Sequence, residues 1–184
     1  MVSFPRPSMR TLLTIRFQIM MAMVWFDALA TGGVIQGNTV TNNTKDGIRC
    51  EYSHYCTISN NVLRNNDEKS GVCAFNSREI TVTDSDHASV TGNAITSNCA
   101  GITLGGYQRN EYIVAVDNVV TDNSITYSGS AVISNRIGAL DKTVPSLLFN
   151  PANNNYFDYN SYHFESTSLL NLKQLDVGRL RFFD

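Results

Sequence analysis

The chain has 184 residues, of which 42% are hydrophobic and 16% charged, a composition that suits one globular or repeat domain. Its formal net charge of −2 provides no basic field for holding nucleic acid, so a nucleic-acid-binding protein is not expected. Charges of both signs are scattered along the sequence, which argues against a disordered tail of one charge.

Residues 1–30 have a separate character. Three arginines precede the apolar run 17–26, and the small residues Ala28 and Ala30 follow it with the spacing of a cleavage site. This pattern predicts a secretory signal peptide, and the alternative is a segment that caps the first repeat. The run is shorter than the roughly 20 residues needed to cross a bilayer, so no membrane span is expected.

A repeated frame occupies the segment 31–150: an apolar residue, two residues, Asn, one residue, an apolar residue, two residues, Asn. It begins at Ile35, Ile58, Val90 and, with a weaker apolar member, at Ala115. Short strands separated by Asn turns predict coils that stack in parallel about 4.8 Å apart. The expected fold is therefore all-β, a right-handed parallel β-helix of about five coils, in which equivalent asparagines bond to one another in one column: Asn38, Asn61, Asn93 and Asn118.

Segments 33–43, 57–62, 89–95 and 101–106 resemble the right-handed parallel β-helix repeat proteins of the pectate-lyase-like superfamily. That superfamily includes pectate and alginate lyases, polygalacturonase-like hydrolases and mannuronan epimerases. Asn155-Tyr-Phe-Asp-Tyr-Asn-Ser-Tyr-His-Phe164 resembles the segment that follows the coils in many secreted carbohydrate-active members. Residues 151–184 are accordingly expected to form a C-terminal tail or cap, with a short helix at 166–176, and the chain to be a candidate fragment.

Outward side chains on stacked strands form a face or groove that suits a long polymer. The candidate catalytic residues are Asp84, Asp86, His87, Arg49 and Glu51, and the candidate substrate-binding residues are Tyr52, His54, Tyr55, Arg78, Tyr107 and Arg109. Tyrosines would stack on sugar rings, arginines would pair with uronate carboxylates, and the Asp and His residues would transfer protons or bind calcium. The alternatives are cross-strand pairing of Arg with Glu and a structural turn at Asp-Ser-Asp. No cofactor is expected, with calcium the one possible exception, and no metal site is expected.

The four cysteines, Cys50, Cys56, Cys73 and Cys99, contain no Cys-x-x-Cys pair, which argues against a zinc site. Cys50 and Cys73 are one coil apart and could form a disulfide between neighbouring coils. Buried free thiols that fill the core are the alternative.

The leading hypothesis for function is a secreted or periplasmic monomer that binds or degrades an acidic polysaccharide as a lyase or hydrolase. The Gly-His-Gly and Arg-Ile-Lys motifs of the hydrolases and the Asp-Pro-His-Asp motif of the epimerases are missing, so no specific reaction is assigned. One alternative is a non-catalytic surface, adhesive or glycan-binding module, or a truncated inactive fragment. Another is a periplasmic helper of metal or cofactor assembly, a role known for some proteins of this repeat type.

Overall fold

The computed structural model describes residues 24–26, 31–66, 78–98, 100–106, 115–128, 138–141 and 150–164. These residues form short strands and one 3₁₀ helix, Pro151–Asn153. In chain order the strands are β1 (Val24–Phe26), β2 (Val34–Gln36), β3 (Thr39–Thr41), β4 (Ile48–Glu51), β5 (Thr57–Ser59), β6 (Val62–Arg64), β7 (Arg78–Thr83), β8 (Ser89–Thr91), β9 (Ala94–Ser97), β10 (Ala100–Gly106), β11 (Val119–Thr121), β12 (Ser124–Tyr127), β13 (Gly138–Asp141), β14 (Tyr156–Asp158) and β15 (Ser161–Phe164).

The strands form three parallel sheets. Sheet 1 has the order β1-β4-β7-β10-β13, sheet 2 the order β2-β5-β8-β11-β14, and sheet 3 the order β3-β6-β9-β12-β15. The chain visits sheet 2, then sheet 3, then sheet 1, and each circuit adds one strand to each sheet. This topology, about five coils deep, confirms the predicted all-β right-handed parallel β-helix.

Aliphatic side chains stack inside the coils because side chains alternate between the two faces of each strand. In sheet 2 the register places Ile35, Ile58, Val90, Val120 and Phe157 over one another. In sheet 3 the corresponding column is Val40, Leu63, Ile95, Ile125 and Tyr162. Most of these side chains are fully buried, and each contributes about 1.5–3 kcal/mol when it is removed from water.

An asparagine ladder runs along the corner between sheets 2 and 3. Its members are Asn38, Asn61, Asn93, Asn123 and Asn160, and the Nδ2 of each donates to the Oδ1 of the next at 3.1, 3.0, 2.9 and 2.8 Å. The backbone N–H of each also donates to that same oxygen. Successive members are 23, 32, 30 and 37 residues apart in sequence. The ladder therefore joins coils of unequal length by the same pair of hydrogen bonds.

The fourth place in this ladder belongs to Asn123, so the prediction that Asn118 occupies it was wrong. Val120 pairs with Val90, which means that the fourth frame begins at Val120 and not at Ala115. Asn118 lies one corner earlier, between sheets 1 and 2, where its Nδ2 donates to Asn155 Oδ1 at 3.0 Å. In this coil the corners before and after β11 both carry an asparagine, Asn118 and Asn123. The prediction assigned Asn118 to the ladder position that belongs to Asn123.

The coils continue into the segment assigned to the C-terminal tail. Strands β14 and β15, residues 156–164, pair in register with β11 and β12. At the other end β1, which falls inside the segment 1–30, pairs with β4. The helix expected at 166–176 lies outside the described residues, as does most of the insertion between the second and third frames. Over the described ranges, no helix has the length and apolarity required to cross a membrane.

Candidate histidine–aspartate site

At the corner between sheets 1 and 2, each coil has a left-handed residue at the same position of the turn. These residues are Gly32, Tyr55, His87, Asp117 and Asn154, with φ between 50° and 72°. In the first four the backbone N–H donates to a carbonyl of the neighbouring coil, for example Tyr55 to the Asp86 carbonyl and His87 to the Val116 carbonyl, both at 3.0 Å. The Asn154 N–H donates to the Pro151 carbonyl of its own coil. A left-handed conformation costs a non-glycine residue roughly 1–2 kcal/mol, and the stacked coils hold it in place.

Four titratable side chains meet on the outside of this corner, and we call them the His–Asp cluster: His54, Asp86, His87 and Asp117. His54 Nδ1 lies 2.8 Å from both carboxylate oxygens of Asp86. His87 Nδ1 lies 3.4 Å from Asp86 Oδ1, and its Nε2 lies 3.4 Å from Asp117 Oδ2. Three successive coils thus supply alternating imidazole and carboxylate groups.

Two neutral groups border the cluster. The ring of Tyr55 lies 4.6 Å from the His87 ring between centroids, at an interplanar angle of 33°. Asn154 Nδ2 donates to Asp117 Oδ1 at 2.9 Å. The tyrosine therefore shields one face of the His87 imidazole, and the asparagine orients the Asp117 carboxylate.

The contact between Asp86 and His54 fixes the chemistry of the His54 ring. An ionised carboxylate accepts hydrogen bonds only, so the hydrogen of a neutral His54 lies on Nδ1. Nε2 then carries the lone pair, and the side chain is 33% exposed. Histidine ligands of metals characteristically donate their other N–H to such a carboxylate. His54 is therefore prepared to act as a ligand or as a base.

The structure brings together four of the residues singled out in the sequence: His54, Tyr55, Asp86 and His87. Sequence reasoning missed Asp117, which occupies the turn position of His87 one coil later. Asp117 directly precedes Asn118 as His87 directly precedes Ala88, but the structure, and not the sequence, shows that Asn118 and Ala88 stack.

Arg49 and Glu51 form a separate network with Asp46, which sequence reasoning also missed. Arg49 Nε lies 2.9 Å from Glu51 Oε2, and Arg49 Nη1 lies 3.1 Å from Asp46 Oδ2. Asp46 and Glu51 are buried, and burial raises the pKa of Asp46 although the Arg49 charge opposes the shift. Arg78 is also buried and contributes to the field at Asp46. Arg49 and Glu51 both lie on β4, so their ion pair is formed within one strand. The alternative interpretation had expected a pair across two strands.

Asp84 and Tyr52 are turn residues at the ends of strands in sheet 1. Both have left-handed backbones, with φ of 45° and 50°, and Asp84 is buried. Tyr52 N–H donates to the Thr83 carbonyl at 3.1 Å. The position of Asp84 agrees with the turn interpretation of Asp-Ser-Asp. Tyr107 and Arg109 lie outside the described residues.

A search of curated proteins and a search of solved structures found no match. Residues 30–171 match the NosD family model, described as "Periplasmic copper-binding protein (NosD)". This description places the family in the periplasm, which confirms the predicted secreted or periplasmic location. It names copper and no polysaccharide. It therefore favours the non-catalytic alternatives over a carbohydrate-active protein. Because the match covers most of the chain and agrees with the parallel β-helix seen here, the chain belongs to the NosD family.

Proposed function

We propose that this chain is a periplasmic copper-binding protein that holds copper(II) at the His–Asp cluster. The family description names copper, and one observation carries the choice of site: both carboxylate oxygens of Asp86 lie 2.8 Å from His54 Nδ1. This contact directs the lone pair of His54 Nε2 away from the carboxylate and makes the nitrogen a better donor.

The residues present fit copper(II) in an open site. Imidazole nitrogens and carboxylate oxygens are donors that copper(II) accepts. Among the residues that the structure describes, no group of three or more His, Cys, Asp or Glu side chains is arranged to hold a metal ion. A bound ion would therefore use one or both imidazoles and complete its coordination with water.

Each member of the cluster has a definable task. His54 supplies the oriented nitrogen, and His87, whose side chain is 40% exposed, supplies a second imidazole from the next coil. Asp86 and Asp117 flank His87 and contribute negative charge that attracts a cation. Tyr55 limits the approach to one face of the His87 ring.

Calorimetric titration of the protein with copper(II), read in parallel by electron paramagnetic resonance, tests the proposal. We expect the His54→Ala/His87→Ala double variant to lose at least about tenfold in affinity, and to lose the nitrogen hyperfine pattern of the wild type. His163 is the matched control, because it is an exposed histidine on β15 outside the cluster. Equal affinities in the double variant and the wild type, or an equal loss in His163→Ala, would refute the site.

A second variant tests the role of Asp86. Asp86→Asn keeps the size of the side chain but removes its charge, so we expect copper(II) affinity to fall by about 10–100-fold while both imidazoles remain. Asp122→Asn is the control, since Asp122 is an exposed left-handed turn residue at a different corner. An Asp86→Asn variant that binds as tightly as Asp122→Asn would show that the carboxylate does not support the site.

The polysaccharide interpretation stays a prediction. Arg49, one of its three candidates for pairing with a uronate, already contacts two carboxylates, and Glu51 and Asp84 are buried. A uronate would have to displace at least one of these internal contacts.

A further inference from the structure

Two buried cysteines flank the corner that carries His54 and Tyr55. Cys50 on β4 is 0% exposed and Cys56, just before β5, is 1% exposed. Both are free thiols, and both belong to the same buried cluster of the core, on either side of one corner. The disulfide between Cys50 and Cys73 stays a prediction, because Cys73 lies outside the described residues, as does Cys99.

The neighbouring coil shows what this layer of the core requires for packing alone. The register places Cys50 beside Val82 before the corner. Directly after the corner Thr57 pairs with Ser89, so the residues just before them, Cys56 and Ala88, occupy equivalent positions. Val82 and Ala88 are equally buried. An aliphatic pair therefore fills the same space one coil away, and packing by itself does not call for two thiols at these positions.

We propose that Cys50 and Cys56 form a reversible disulfide that closes the corner holding His54 and Tyr55. The oxidant is a disulfide compound. The Cys50 thiolate attacks one of its sulfurs and releases a thiol, and the Cys56 thiolate then attacks the Cys50 sulfur and releases the second thiol. One protein dithiol and one oxidant disulfide thus give one protein disulfide and two thiols.

Two features support this chemistry. The hydrogen bond from Cys56 lowers the pKa of the Cys50 thiol, which favours Cys50 as the attacking sulfur. The family is periplasmic, and disulfides persist in that compartment. Because both sulfurs are buried, exchange requires local opening of the corner and proceeds more slowly than at an exposed thiol.

Peptide mapping of the full chain tests the proposal without metal. The protein is equilibrated with reduced and oxidised glutathione and a chelator, unfolded in the presence of an alkylating reagent, and digested with trypsin. Cleavage after Arg49 and Arg64 gives peptide 50–64, which contains Cys50 and Cys56 and no other cysteine. We expect this peptide to become unalkylated and lighter by two hydrogen atoms as the oxidised fraction rises. Two alkyl groups at the most oxidising ratio, or a cross-link to a peptide with Cys73, would overturn the proposal.

The Cys50→Val/Cys56→Ala variant is the matched control, since it copies the residues of the neighbouring coil. Oxidation should raise the unfolding midpoint of the wild type and leave that of the variant unchanged. An equal rise in both would assign the effect to the other cysteines and contradict the proposal. The inference does not depend on copper binding, because neither measurement contains copper.

Discussion

Replacing Asn93 in the middle of the asparagine ladder should unfold the coils at much lower denaturant concentration. Its Oδ1 accepts from the backbone N–H and from Nδ2 of Asn61, both at 3.0 Å. Its Nδ2 donates to the Ile58 carbonyl at 3.0 Å and to Asn123 Oδ1 at 2.9 Å. Leucine has a similar size and can make none of these bonds.

The magnitude follows from the groups that lose their partners. In Asn93→Leu the buried Asn61 N–H and the Ile58 carbonyl each lose a bond, at a cost of roughly 1–3 kcal/mol per group. Other members of the ladder retain further bonds: Asn61 Nδ2 still donates to the Ile35 carbonyl. Because the added apolar area offsets part of the cost, we expect a net loss of about 3 kcal/mol in the free energy of unfolding.

Urea unfolding followed by circular dichroism measures this loss. Asn38→Leu at the first coil is the control, because Asn38 is only half-buried and water can replace its two side-chain bonds. Its cost should stay below about 1 kcal/mol. Equal losses in the two variants would refute the argument that buried amide stacking, and not asparagine turn propensity, holds the coils in register.

Three further outcomes are expected. Oxidation of the Cys50–Cys56 pair should stabilise the fold by about 2 kcal/mol, the entropy of closing a short loop, and equal urea midpoints under reducing and oxidising conditions would exclude this. Burial raises the pKa of Asp46 in the folded protein. The protonated carboxyl group therefore contributes fully to the free energy of unfolding below the ordinary pKa of 3.8, and this contribution is lost as pH rises through the folded pKa. Asp46→Asn should therefore gain stability relative to the wild type between pH 3.8 and neutrality, whereas a constant difference would contradict the shift. In Gly101→Ala the new Cβ would lie 2.7 Å from Ile125 Cγ2, and thermal unfolding should show a loss of about 1–3 kcal/mol, which an unchanged midpoint would disprove.

The architecture could be predicted because the stacking of coils imposes a pattern on the sequence. The frames at Ile35, Ile58 and Val90 lie in register as expected. The fourth frame was displaced because the corner before β11 uses Asn118, where earlier coils use Cys56 and Ala88. An asparagine is a suitable residue at either corner, so sequence alone does not identify which corner it occupies.

The site was predictable only in part. The loop residues near Asp86 were noticed because they interrupt a regular repeat, but their grouping with His54 depends on a register that spans 32 residues. The burial of Glu51 and Asp84 was not predictable. Strand alternation predicts which side chains point out of the coil, but it does not predict whether other residues cover them there. Such coverage depends on long-range packing.

The asparagine ladder also separates the pitch of the solenoid from the length of its chain. The side-chain bonds of the ladder stay within 2.8–3.1 Å while the spacing between its members varies from 23 to 37 residues. The distance between coils is therefore set by these hydrogen bonds and not by the number of residues in a coil. Segments that connect the sheets can therefore be lengthened or exchanged while the stacked corners keep their alignment. New recognition loops could be grafted onto such a frame one coil at a time, each inheriting the position that the amide column sets.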